Sequence, residues 1–216
     1  MSELDLLRRQ IARLDHELLA ALIARRQAGR AMSRYPDGCV AQAVARGAAR
    51  QLFRDARLTQ GLCRCYLERL RHDYVGQVVA HGSARMNPEV KPSGLDHLDQ
   101  CCLRLILKRM GHGVRVAQAK ARQEPARFKE AIRQNDQAAL WRQITHADIE
   151  QRVYERVRCG VRSLGVRGTA GVEAWVQLYQ QWLIPLTKAA EVSALLGWRG
   201  PCGDHYEIRE RHETGN

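Results

Sequence analysis

Apolar side chains recur at Leu4, Leu7, Ile11, Leu14, Leu18, Leu22 and Ala28. Steps of three and four residues place them on one face of an α-helix. The pattern predicts a long amphipathic helix over residues 3–33, opened by Ser2 with Asp5 as a capping pair and stopped by the turn Tyr35-Pro36-Asp37-Gly38. Further helices are expected at about 41–57 and 59–81, the latter through Leu62, Tyr66, Leu70 and Val78. Residues 82–94 hold the breakers Asn87-Pro88 and Pro92-Ser93-Gly94 and read as a connector. A second long helix then runs from Leu95 through Leu98, Cys102, Leu105, Ile106 and Val116 to about Lys120. Short helices at about 125–134 and 136–144 follow, the first with Pro125 in its first turn. Thr145, with Asp148 three residues on, offers an N-cap for a helix over 146–164. Residues 165–171 read as a loop, and the last helix, 172–197, carries Pro185, which should kink it near Thr187.

Two long helices, each preceded or followed by shorter ones, share the pattern Ile11-x-x-Leu14-Asp15 and Leu95-x-x-Leu98-Asp99. The expectation is an all-α fold, a single bundle of about eight helices over 1–200. Its halves are a weak internal repeat, about 1–81 and 95–198, joined by the connector 82–94 over one shared core, with a polar tail at 201–216.

Charge narrows the partners without choosing one. The 35 Lys and Arg outweigh 23 Asp and Glu, a net charge of +12, so an anionic ligand is expected. The cations are spread along the chain beside acids, as in Glu68-Arg69 and Glu210-Arg211, which favours a small polyanion over nucleic acid. The seven cysteines are odd in number and form no Cys-x-x-Cys pair; they read as reduced thiols of a cytoplasmic protein. Cys63, Cys65 and His72 sketch at most part of a metal site, and no metal is expected. No charge-free apolar run reaches membrane-spanning length.

Several polar residues share helix faces. Arg109 and Lys120 are three turns and about 20° apart, so both point the same way. His146 with Glu150, and Thr187 with Glu191, are i,i+4 pairs, and Arg8 borders the apolar stripe of its helix. Such a set could line a polar cavity inside a bundle, although each residue alone is equally at home on a solvated face.

Three stretches resemble the chorismate mutases of fungi and plants. The run Arg109 to Lys120, ending Val116-Ala117-Gln118-Ala119-Lys120, resembles that family's Arg-(10 residues)-Lys helix. Ile144-Thr145-His146-Ala147-Asp148-Ile149-Glu150 resembles its Ile-Thr-Asn-x-x-Val-Glu, and Ile184-Pro185-Leu186-Thr187-Lys188-Ala189-Ala190-Glu191-Val192 its Ile-Pro-x-Thr-Lys-x-x-Glu-Val. Leu7-Arg8-x-x-Ile11-x-x-Leu14-Asp15 is similar to its first helix, whereas residues 34–94, where the family carries a longer insertion that helps bind regulatory aromatic amino acids, match poorly.

The resemblance implies two fused small subunits keeping one active site per chain, a homodimer, no cofactor, and rearrangement of chorismate to prephenate in phenylalanine and tyrosine biosynthesis. It implies that Arg8 and Arg109 bind the substrate carboxylates, Lys120 and Glu191 address the ether oxygen, Glu150 holds the ring hydroxyl and Thr187 lines the pocket. His146 stands where the family has Asn, and its imidazole N–H can still donate to a carboxylate. The resemblance also implies weak or absent regulation by tryptophan or tyrosine. Competing readings are an isochorismate pyruvate lyase-like enzyme on the same scaffold, a basic nucleic-acid-binding bundle, and an inactive relative.

Overall fold

The computed structural model describes residues 2–29, 73–79 and 92–197, and among these it holds seven α-helices and no strand. They are α1 (Glu3–Gln27), α2 (Pro92–Gln123), α3 (Pro125–Arg133), α4 (Gln137–Ile144), α5 (Ala147–Ser163), α6 (Thr169–Leu178) and α7 (Ile184–Leu196). π-helical segments occupy Val75–Val79 and Tyr179–Leu183. The all-helical architecture expected from periodicity is the one observed. The expected helix at 41–57, most of that at 59–81, residues 82–91 of the connector and the tail lie outside the described residues.

Boundaries follow from local chemistry, with four corrections. At the start of α1 the Ser2 hydroxyl accepts from the Asp5 N–H while the Asp5 carboxylate accepts from the Ser2 N–H, the expected capping box. The helix ends at Gln27 rather than 33, because Gly29 takes a positive φ of 106° that few other residues adopt without strain. α2 starts at Pro92, inside the expected connector, since proline needs no donor in a first turn. Thr145 does not cap α5: its hydroxyl donates back to the Trp141 carbonyl and ends α4, and His146 is the capping residue, without a side-chain bond. Nor does the last helix start at 172. It starts at Thr169, widens into the π segment, and resumes with Pro185 in the first turn of α7. The widening precedes the proline because the helix must find another path for carbonyls that Pro185 cannot serve.

α2 is the axis of the bundle. Its pairings with α1 run in opposite order, Glu3 with Arg122, Asp15 with Arg109 and Arg25 with Asp99, so the two helices are antiparallel. Two of these ion pairs are counterparts: Asp15 and Asp99 are the same distance apart in the chain as Arg25 and Arg109, and each aspartate is met by the other helix's arginine. Both are buried. Tyr74 donates to Asp99, and the Tyr179 hydroxyl donates to the Asp15 carbonyl at 3.3 Å. Between the pairs lie Leu18, Leu22, Leu103 and Ile106, in the main apolar core with Leu14, Met110, Trp175, Tyr179 and Leu183. α7 runs parallel to α2 on another side: Thr187 meets Arg109, and Val192 and Leu195 pack with Ala117 and Ala121. A helix enclosed by neighbours needs small residues where their axes come close, hence Ala117, Ala119 and Ala121, all buried.

Candidate active site

Four elements converge on the C-terminal half of α2. Leu7 packs with Val116 and Ala119 and so lays the first turns of α1 across it. Ile144, Leu140 and Phe128 pack with Ala117 and Ala121, which brings the α4–α5 junction alongside. α7 completes the enclosure. The polar residues borne at these contacts face a common recess.

Arg109 forms its inner end. It is 4% exposed, and its Nε donates to Asp15 Oδ1 at 2.8 Å while Nη1 donates to the Thr187 hydroxyl. The Thr187 hydroxyl in turn donates to the Leu183 carbonyl at 2.7 Å. The guanidinium lies 5.6 Å from the Tyr179 ring centre. Burial works against the charge, but Asp15, Tyr179 and Glu191 outweigh it and the pKa is raised, so Arg109 is a fixed cation.

Three turns along α2, Lys120 donates to the Ile144 carbonyl at 3.2 Å, and burial lowers its pKa against the pull of Glu191. Glu191 interacts with both cations of α2. Burial pushes its carboxyl up to about 7, although Lys120, Arg109 and Lys188 favour the charged form. For both partners desolvation outweighs mutual attraction.

The remaining candidates form its wall and mouth. Glu150 is paired with Lys188, Nζ to Oε1 at 2.5 Å, and Lys188 also lies 5.4 Å from the Trp141 ring centre. His146 has a lowered pKa from burial and from the charges of Lys120, Arg127 and Arg8, which keeps its imidazole neutral near pH 7. Arg8 is on the rim, its side chain 41% exposed and only loosely paired with Asp5 at 3.9 Å. The structure therefore brings Arg8, Arg109, Lys120, His146, Glu150, Thr187 and Glu191 to one recess. Among the described residues no group of three or more His, Cys, Asp or Glu has metal-site geometry.

No protein-family model matches the chain. Part of it aligns with curated enzymes: 32% identity over 108 residues with the chorismate mutase of Trichoderma parareesei, covering 45% of this chain and 41% of that one. The identity is 33% over 112 residues with the cytosolic chorismate mutase 2 of Zea mays, covering 46% and 44%. The chain thus spans less than half the length of the curated relatives it matches. The solved chloroplast chorismate mutase of Zea mays superposes with a TM-score of 0.70 over 91% of this chain and 96% of that one, at 18% identity. Over somewhat less than half of its length the chain is thus similar in sequence to eukaryotic chorismate mutases, and over nearly all of it similar to them in fold. The Candida albicans chorismate mutase Aro7p in complex with L-Trp has the same fold, with a TM-score of 0.67 at 22% identity over 88% of this chain and 89% of that one.

Three residues at the recess escaped sequence reasoning as site members. Lys188 was in view within the Pro-x-Thr-Lys run, but the i,i+4 rule that selected Thr187 and Glu191 passed over it. Asp15 belonged to the repeat pattern, yet nothing local shows that it holds Arg109, ninety-four positions away. Arg127 reaches back from α3, its guanidinium bound to the Gln143 carbonyl and to Glu124, each at 3.0 Å. It carried no signal in the sequence.

Proposed function

We propose that this chain is a chorismate mutase, rearranging chorismate to prephenate in the recess between α1, α2, α5 and α7. The observation that carries the reading is the placing of one carboxyl, Glu191, against two cations of one helix, Arg109 and Lys120. One C–O bond of the substrate breaks as one C–C bond forms within the same molecule, so the chain's task is to hold a compact conformer and stabilise charge. Arg109, with its Nε taken by Asp15, offers its remaining N–H groups to one carboxylate, and Arg8 at the rim offers a fork to the other. Negative charge grows on the ether oxygen as its bond lengthens. Lys120 meets that charge, and the protonated Glu191 carboxyl donates a hydrogen bond to the same atom. Glu150, paired with Lys188, accepts from the ring hydroxyl, and Thr187 holds the inner guanidinium in place.

The neutral His146 imidazole stands where a donor N–H is wanted beside a carboxylate, which supports activity despite the replacement of the family's Asn. Loss of chorismate absorbance on adding purified protein, with prephenate trapped by acid conversion to phenylpyruvate, is the expected result. Unchanged chorismate refutes the reading; release of pyruvate from isochorismate instead would assign the lyase.

A further inference from the structure

Gly113 lies inside α2 four residues after Arg109 and seven before Lys120, on the same helix face as both. A Cβ built on it would overlap the Thr187 methyl, and it would stand 2.7 Å from Oε1 and 3.5 Å from Cδ of Glu191. The first two approaches are closer than real Cβ atoms make. A glycine within a helix is a conformational liability that alanine would relieve. Elsewhere on α2 the packing is met by alanine, at 117, 119 and 121, all of them buried. At 113 the Cβ itself is excluded, and what excludes it is the pair of α7 side chains that face the recess.

We propose that Gly113 is a positioning residue, whose missing side chain seats the Glu191 carboxyl and the Thr187 methyl directly against α2 between Arg109 and Lys120. The inference rests on the proposed mutase reading for its catalytic consequence, but the seating itself does not. Around the seated carboxyl stand Lys120 and Arg109 from α2, Lys188 from α7 and Glu150 from α5. Against the α2 backbone the carboxyl is kept from water and favours its protonated form. A methyl group at 113 displaces it outward, where water solvates the charged form and proton affinity falls.

The test uses the whole chain labelled with carboxyl-¹³C glutamate, with the Glu191 resonance assigned by its absence in Glu191→Gln. Gly113→Ala should lower the Glu191 titration midpoint by about one unit. At pH 7 it should slow chorismate turnover at least about tenfold, with the alkaline fall of kcat moved to lower pH. Gly160→Ala, a helical glycine whose Cβ meets only the ends of Leu19 and His16, should change neither. If folded Gly113→Ala keeps the wild-type midpoint and rate, the proposal is overturned. If the midpoint moves while the wild-type protein leaves chorismate untouched, the seating stands and the mutase reading falls. Should Gly113→Ala fail to fold, the variant to titrate is Gly113→Ala with Thr187→Ser, which removes the methyl met first; failure of both to fold would make the glycine a matter of packing alone and overturn the proposal.

Discussion

Arg109 serves two partners at once, and its substitution separates packing from catalysis. Removing it leaves buried Asp15 with only Arg156, 3.9 Å away, and breaking a buried pair typically costs about 3–5 kcal/mol, so activity must be measured where the variant is still folded. Under those conditions Arg109→Ala and Lys120→Ala should each lower kcat/KM by at least about 10², the usual effect of losing a fixed charge aimed at the reacting atoms. Steady-state rates with chorismate check this, and near wild-type rates in a folded variant count against the shared-face site. Arg8→Ala should match Arg109→Ala in kcat/KM with little loss of stability, because its side chain is 41% exposed. On the proposed reading, Glu191 sets the pH dependence. A carboxyl that donates only while protonated, with a pKa raised to about 7, makes activity fall as pH rises through neutrality. Glu191→Gln should flatten that fall; the same alkaline loss in the Gln variant would remove Glu191 from its donor role. The same shift has a stability sign. The folded chain holds this proton more tightly than the unfolded chain, so the contribution is complete below the ordinary carboxyl value and lost as pH climbs through 7. The melting temperature of Glu191→Gln relative to wild type should therefore rise between pH 5 and pH 8.5.

At the scale of elements, the antiparallel contact of α1 with α2 is pinned by the two counterpart ion pairs, and the outer one can be tested without touching the recess. Arg25 donates from Nε to Asp99 at 2.5 Å and from Nη1 to the Gly29 carbonyl at 2.7 Å, and Asp99 also accepts from Tyr74. Burial and the neighbouring Asp99 raise the Tyr74 pKa, so it remains a hydrogen-bond donor at any ordinary pH. Asp99→Ala should destabilise the fold by about 3–5 kcal/mol, read by urea unfolding. Replacing both partners with apolar residues, Arg25→Met with Asp99→Leu, should recover most of it. Since Asp99 and Lys120 are separated by about 30 Å along the helix, turnover by the folded double variant should stay near wild type. These elements differed in legibility for local reasons. Ser2 and Asp5 announced the start of α1 because both halves of a capping box are written within four residues. Thr145 misled because a threonine hydroxyl bonds equally well forward, as a cap, or back to the carbonyl four residues earlier.

For the whole molecule, surface cations among the described residues are often matched by acids, as in Arg122–Glu3, Arg133–Glu130 and Arg158–Glu173, whereas Arg109 and Lys120 of the recess are set apart by burial. That arrangement suits a small dianion better than a nucleic-acid backbone. No helix among the described residues is long and apolar enough to cross a membrane. The homodimer implied by the resemblance is expected in solution, and sedimentation equilibrium across a concentration series checks it. Regulation is expected to be weak or absent, because residues 34–94 match the family's effector-binding region poorly. A several-fold change in rate with millimolar tryptophan or tyrosine would count against this.

Helicity, the polar faces of α2, α5 and α7, and the three motif stretches could be read from the chain alone, because each depends on spacings of three, four or eleven residues that the helical repeat converts directly into direction. The family resemblance was legible for the same reason. What could not be read is which faces meet. Asp15 finds Arg109, Lys188 finds Glu150, and Arg127 joins the mouth only because α1 runs antiparallel to α2 and α7 parallel to it, and that geometry is settled by apolar packing among residues far apart in sequence. The chain names Gly113 only as a weak point in a helix. Two side chains of another helix, arriving seventy-odd positions later, make it the one residue that fits.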